Sequence, residues 1–546
     1  MASNLPYLCL RKVFKFLSND NNDTYISRRK NIHSCVLVNR YWCKVATPFL
    51  WKEPFTGSLN PIKSINLVNV LITNFSEQEL QNLNLNFIIQ HNQTTFDYII
   101  FIRTLIVKAV IEATSYWLRN NKIISKENLI TNYLLKQILL RTSNLEHIIS
   151  NSNINIFQFP ISKNYFSNLI ELTGFDENIN GIYSSISNIA ENIRILRFSL
   201  TNNHIMNHTT TINDISKIIK KQKNLERFSI DNRLSCYCCP KKDFLSLDFT
   251  KIFDSLILQS NTLNYIGLYD IDFFFKFPLN QLNLFKNLNH LEIIRCYNFG
   301  QINNFDQIDL NFSFKRLSKI IIYYSFIPSN ILKLFFLQSG RNLKKVKLVG
   351  NEVIENFYDI IQICINYNPN LTHFLSFIHS KEIFLLPKFL ISCQNLLHFE
   401  IWDINYSSNN NHHHQLLDEK FDVNDLLIDL SNSIPNSLLI FNINMNWSFS
   451  TNYFKIFLLN LQSSNIHLDY LGFPFCSNFN NDHLNIILNY LKFPLKCLNI
   501  RNANNILYDD VERSCKIIKN LVVPNNIRRF VEYDKYFFDI INQTSF

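Results

Sequence analysis

Asn287-Leu-Asn-His-Leu-Glu-Ile293 and Asn342-Leu-Lys-Lys-Val-Lys-Leu348 share one form, an Asn followed by Leu-x-x-Leu-x-Leu with Val or Ile allowed for Leu. The unit recurs as Asn224-Leu-Glu-Arg-Phe-Ser-Ile230, Asn395-Leu-Leu-His-Phe-Glu-Ile401 and Leu495-Lys-Cys-Leu-Asn-Ile500. Taking the first apolar residue of each copy, the starts are 145, 169, 193, 225, 263, 288, 317, 343, 371, 396, 438, 468, 495 and 527, a mean period near 29, with an earlier copy at Ile102. Alternating apolar and variable residues describe a strand with one buried face, whereas the stretch ahead of many units has helical spacing. Examples are Ile327, Ile331, Leu332, Phe335 and Phe336, and Leu484, Ile487, Leu488 and Leu491. One such unit cannot bury its own face. Strand and helix alternating at a fixed period therefore predict an α/β solenoid of stacked parallel strands joined by crossover helices.

Two units run on to a fuller pattern, Leu288, Leu291, Ile293, Cys296 and Leu343, Val346, Leu348, Asn351, Val353. On these residues the chain resembles the leucine-rich-repeat proteins over about 400 residues, with Phe and Ile often in place of Leu. The resemblance implies a horseshoe with parallel strands on the concave face and helices outside. Residues two, four and six after each start then face the open side: Arg227, Asp231, Tyr265, Tyr269, His290, Glu292, Tyr323, Lys345, Lys347, His373, His398, Glu400, Trp402 and Arg501. Aromatic and Arg side chains are the usual anchors of protein interfaces. The candidate substrate-binding residues are accordingly Arg227, Tyr265, Tyr269, His290, Tyr323, Lys345, His373, His398, Trp402 and Arg501.

Two intervals exceed the period, 225 to 263 and 396 to 438, and read as inserted loops. The first holds Cys236-x-x-Cys239, which with His204-x-x-x-His208 has zinc-ligand spacing. The pairs stand in the reverse of the usual order and in different repeats, so cysteines packed in an insert are the expected reading. His412 to His414 lie in an Asn-rich tract and read as compositional drift. No metal, cofactor or catalytic residue is expected. The 8 glycines of the 546 residues lie at least seven positions apart, which excludes G-x-G-x-x-G, G-x-x-x-x-G-K-[ST] and G-x-S-x-G and the chemistry those loops support.

Ahead of the repeats, Leu5-Pro-Tyr-Leu-Cys-Leu-Arg-Lys-Val-Phe-Lys-Phe-Leu17 places Leu10, Val13, Phe14 and Leu17 at helical spacing behind a proline suited to a first turn. A polar turn over 18–24 separates it from a second helical pattern through Ile32, Cys35, Val36 and Val38. Three helices in about fifty residues bury little surface alone, so a partner is expected to cover some of it. The segment resembles an F-box on four ordered pieces: Leu5-Pro6, Val13-Phe14 with Leu17, Leu37-Val38-Asn39-Arg40-Tyr41-Trp42, and Pro48-Phe49-Leu50-Trp51. The resemblance implies docking on a Skp-type adaptor, and through it a cullin, by Leu5, Pro6, Leu8, Val13, Phe14, Leu17, Val38, Arg40, Trp42, Pro48, Leu50 and Trp51. The organisation expected is a helical module at 1–52, a connecting helical segment at 53–100 and repeats over 101–546.

Charge supports the same division. Of the net +10, the first 53 residues carry +6, so an acidic protein partner explains the basicity at least as well as nucleic acid does. Twelve scattered cysteines, and Arg11, Lys12 and Lys15 within the first helix, predict a reduced protein of the cytoplasm or nucleus with no membrane anchor. The function expected is substrate recognition in a Skp-cullin-F-box ubiquitin ligase, with an unidentified protein substrate and no catalysis by this chain. The alternative is a non-enzymatic leucine-rich scaffold whose N-terminal helices only cap the solenoid. An RNA- or membrane-associated repeat protein rests on charge alone.

Overall fold

The computed structural model describes residues 5–19, 25–56, 60–85, 95–142, 144–150, 152, 154–159, 166–174, 182–187, 190–200, 208–232, 249–273, 279–299, 314–325, 327–350, 357–403, 421–476, 478–491, 495–500 and 520–522. The chain divides into two compact units, Met1–Asp270 and Ile271–Phe546.

The first unit opens with three helices, α1 (Tyr7–Asn19), α2 (Tyr25–Val36) and α3 (Arg40–Leu50). The Pro6 carbonyl accepts from the Cys9 and Leu10 amides and so begins α1. The helical pattern of α2 stops at Val36 rather than running through Val38, because the Asn39 side chain accepts from the Trp42 amide at 2.8 Å and caps the next helix. Helices α4 (Pro61–Ile72) and α5 (Glu77–Asn82) follow, the first capped by Asn60 with Pro61 in its first turn and the second by a Ser76–Glu79 capping box. The repeats begin at β1 (Thr104–Ile106), followed by α6 (Val107–Asn120), α7 (Glu127–Arg141), β2 (His147–Ile149), β3 (Glu171–Thr173), α8 (Ile182–Ser187), β4 (Ile195–Ser199), α9 (His208–Lys221), β5 (Arg227–Asp231), α10 (Thr250–Ile257) and β6 (Tyr265–Tyr269). The strands pair in parallel in that order.

The second unit contains α11 (Leu279–Leu282), β7 (His290–Ile294), β8 (Lys319–Tyr323), α12 (Ser329–Ser339), β9 (Lys345–Val349), α13 (Phe357–Tyr367), β10 (His373–Ile378), α14 (Leu386–Ser392), β11 (His398–Asp403), β12 (Phe421–Asp422), α15 (Asn424–Ser433), β13 (Ile440–Asn444), β14 (Trp447–Ser448), α16 (Thr451–Ser463), β15 (Tyr470–Gly472), α17 (Asn481–Tyr490), β16 (Cys497–Asn499) and β17 (Asn520–Val522). Its main strands are again parallel and consecutive, with β12 and β14 forming a separate pair. Both units are α/β repeat solenoids. In each unit every strand of the main sheet, β1 to β6 in the first and β7 to β16 without β12 and β14 in the second, begins two residues after its start in the sequence pattern. The expected start at 527 lies outside the described residues, and the strand beside β16 is 520–522.

One contact repeats along each unit. The first strand residue and the one before it both donate to a single carbonyl of the preceding repeat, as Glu146 and His147 do to Arg103, and Lys344 and Lys345 to Ser318. The inward residues are branched aliphatic or aromatic and fully buried, including Leu291, Ile293, Ile320, Ile322, Val346, Leu348, Phe399 and Ile401. Phe374 packs on Phe399, and Phe399 on Phe441, while Phe389 of α14 and Phe457 of α16 close over them from the helix side.

Candidate interaction surfaces

The N-terminal module has its own core. Leu10, Phe14, Ile32, Val45 and Ala46 are buried, and Leu17, Trp42, Phe49 and Leu50 pack around them. Phe14 meets the edges of Trp42 at 5.4 Å and Phe49 at 6.2 Å. With this core filled, a second apolar set stays in water: Leu5, Leu8 (67% exposed), Val13 and Phe16 (69%) on or beside α1, Leu37 (71%) and Val38 between α2 and α3, and Tyr41 in the first turn of α3. Arg11, Lys12, Lys15 and Arg40 are exposed around it. Large apolar groups concentrated on one small module mark an interaction surface.

The twelve residues expected at the adaptor thus separate. Leu5, Pro6, Leu8, Val13, Val38 and Arg40 are exposed, and Leu17, Trp42, Pro48, Leu50 and Trp51 are half-buried. Phe14 has no exposed surface, so it holds α1 in place and cannot itself touch a partner. Trp51 lies against Tyr98 with ring centroids 4.4 Å apart. The next residue, Lys52, supplies the carbonyl that the Arg103 and Thr104 amides share at 2.8 and 3.1 Å, the position a preceding repeat occupies elsewhere.

On the repeats, the described residues two, four and six after each start lie on the sheet face opposite the buried side chains. In the first unit this face is largely self-engaged. The Glu171 carboxylate receives His147 Nδ1 and Arg197 Nε, each at 3.1 Å, and the His147 hydrogen bond is the main cause holding it below the usual carboxylate range. Arg227 stacks over the Tyr265 ring at 4.5 Å. Tyr265 and Tyr269 join hydroxyls at 2.6 Å across Gly267, where a Cβ would stand 2.8 Å from both. Tyr265 is therefore only 6% exposed, a correction to its expected role as an open anchor.

In the second unit, strand register aligns His290, Lys319, Lys345, His373 and His398 in one row, and Glu292, Ile321, Lys347, Leu375 and Glu400 in the next. His290 Nε2 lies 2.8 Å from Glu292 Oε1, and His398 Nε2 lies 3.2 Å from Glu400 Oε2. Glu400 Oε1 also accepts from Trp402 Nε1 at 2.9 Å, Asn442 Nδ2 at 3.1 Å and Asn444 Nδ2 at 3.3 Å. Trp402 stacks on Phe377 at 6.0 Å and touches Phe475, so its ring is largely occupied. Burial, followed by the nearby Glu400 and Glu292 charges, pushes the Tyr323 hydroxyl up to about 12. His373 is driven down to about 3 by burial and by the Lys345, His398, Lys347 and Lys319 charges, and it is neutral near pH 7.

Lys319, Asn442 and Asn444 belong to this surface and are missing from the sequence-based set, although the rule that found Lys345 places Lys319 two after its start. Arg501, Cys236, Cys239, His204 and His412 to His414 lie outside the described residues, as does the side chain of His208. Among the described residues no cluster of three His, Cys, Asp or Glu could hold a metal, and no helix is long and apolar enough to cross a membrane.

No protein-family model and no curated protein matches the sequence. Among the solved structures similar to parts of it are two at 13% identity. One is the Rad7 and Elc1 complex of yeast, covering 74% of this chain and 84% of the matched chain with a TM-score of 0.30. The other is a leucine-rich-repeat protein of Leptospira interrogans, covering 72% and 97% with a TM-score of 0.34.

Proposed function

We propose that the chain is the substrate-recognition subunit of a Skp-cullin-F-box ubiquitin ligase of the cytoplasm or nucleus. Its first fifty residues dock on the Skp-type adaptor, and its repeat sheet selects a protein substrate. The observation that carries the reading is the exposed set Leu5, Leu8, Val13, Phe16, Leu37, Val38 and Tyr41 on a module whose own core is already complete. Its basic margin suits an acidic adaptor. In this role the chain does no bond chemistry and needs no cofactor, because bringing a substrate beside a ubiquitin-loaded enzyme raises the rate by proximity.

A second reading, a leucine-rich scaffold with a helical cap, is favoured by the Lys52 carbonyl, which takes the place of a preceding repeat. Co-purification with a Skp-type adaptor separates the two. L5A/P6A should weaken adaptor binding by about tenfold or more at an unchanged melting temperature, and salt should weaken the wild type modestly through Arg11 and Lys12. Absence of adaptor binding by the wild type, or full binding by the double variant, leaves the cap reading in its place.

A further inference from the structure

We infer that the sheet face formed by β8, β9 and β10 docks an acidic segment of the partner polypeptide, with Lys345 and Lys347 as its anchors and Lys319 beside them. The inference rests on the reading of the repeats as the recognition surface and names the class of substrate that surface takes.

The argument is one of charge left over. Lys319 and Lys345 are register partners on adjacent strands, roughly 4.8 Å apart, and Lys345 and Lys347 are two residues apart on one face of β9, roughly 6.7 Å. Lys345 and Lys347 therefore share a small area of one face, with Lys319 on the neighbouring strand. Two acids flank them, and both have other donors. Glu400 holds Trp402, Asn442 and Asn444 on one oxygen and His398 on the other, and Glu292 is held by His290. Among the described residues, neither the Lys345 nor the Lys347 ammonium has a carboxylate within 4.0 Å or a hydrogen-bond partner. The adjoining His373 is neutral near pH 7 and offers them no counter-charge. Burial pulls the Lys347 ammonium below its usual range, ahead of the opposing pull of Glu400 and Glu292. A carboxylate brought onto this face would relieve that cost.

Geometry narrows the ligand further. An extended peptide lying along β9 presents side chains on one face every second residue, at the spacing that separates Lys345 from Lys347. Acidic residues at alternate positions fit best.

The test uses the full-length protein and a labelled peptide alternating Glu and Thr, with the Gln–Thr version as control, read by fluorescence anisotropy at low and physiological salt. The Glu peptide should bind about tenfold or more tightly than the Gln peptide, with salt reducing the difference. K345E/K347E should abolish the preference, whereas K220E/K221E, on exposed positions of α9, should retain it. Where K345E/K347E lowers the melting temperature, K345Q/K347Q at an unchanged melting temperature decides.

Equal binding of the two peptides, an unaffected K345E/K347E, or equal loss in K220E/K221E would overturn the inference. So would tighter Lys345-dependent binding of a labelled single-stranded RNA. Adaptor co-purification from the same preparations keeps the two proposals apart. Absence of the peptide preference in the wild type with adaptor binding intact removes this inference alone, and a wild type that shows the preference but binds no adaptor removes the ligase reading alone.

Discussion

His373 shows how much of a residue's behaviour depends on neighbours far off in sequence. Register pairs it with Lys345 on one side and His398 on the other, and its Nδ1 is 2.9 Å from the Thr372 hydroxyl. The folded chain resists protonating it until about pH 3, against 6.5 for an unhindered histidine. Between those values the unfolded state binds the proton and the folded state does not, so stability falls as pH falls through this window. H373Q should lose less melting temperature than wild type over the same interval, and parallel pH profiles would assign the acid sensitivity to another group. The sequence pattern placed His373 on the open face; its charge state was not legible, because the lysines that set it sit on other strands. Tyr265 gives the complementary case. Its position followed from the repeat, but only the bare backbone of Gly267 lets two tyrosines close over the strand and withdraw from solvent.

At the level of the element, strand positions were legible because a period of two, repeated at a constant offset, specifies which side chains are buried. The connections between strands were harder to read. The interval from Ile102 to the start at 145 holds two helices, α6 and α7, where the template supplies one. Buried amides at the helix-to-strand turns had no signal either, since an isolated Gln in a polar turn looks like any loop residue. Gln222 is 3% exposed, accepts from the Ile193 amide at 2.9 Å, and donates to the Ala190 and Ile218 carbonyls. Gln259 repeats the device one period on, donating to the Gln222 carbonyl at 2.7 Å and to Ile219. A buried polar group deprived of its partner costs about 1 to 3 kcal/mol, and Gln222→Leu orphans three at once. The substitution should lower unfolding free energy by about 2 kcal/mol or more in urea titration. A change within experimental error would mean that water replaces the amide.

For the whole molecule, the question is how one N-terminal module can serve both proposed roles, and its two sides answer it differently. The proposed docking side is Leu5, Leu8, Val13, Phe16 and Val38, all exposed, whose truncation should remove little that the folded chain itself uses. The anchoring side is Trp51 against Tyr98, buried Phe55, and the Lys52 carbonyl that receives the first strand. Part of this exposed side was legible, since Leu5, Val13 and Val38 stand in the family-like sequence pieces. The anchoring side was not, because Lys52 and Thr104 are fifty residues apart and meet through a main-chain carbonyl that carries no sequence signature. In a solenoid each repeat is stabilised mainly by its neighbours, so damage at the first rung is felt most in the strands next to it. Phe55→Ala, which removes a buried ring, should cost about 3 kcal/mol or more locally. Hydrogen exchange should show this as faster exchange at Leu105 and Ile106 of β1, weaker acceleration at β2 and β3, and the least at β5. L5A/P6A should leave the same amides unchanged while reducing adaptor binding. If Phe55→Ala leaves β1 protected, or if L5A/P6A deprotects it, the two sides of the module are not separable in this way and its exposed apolar groups belong to the capping of the repeats.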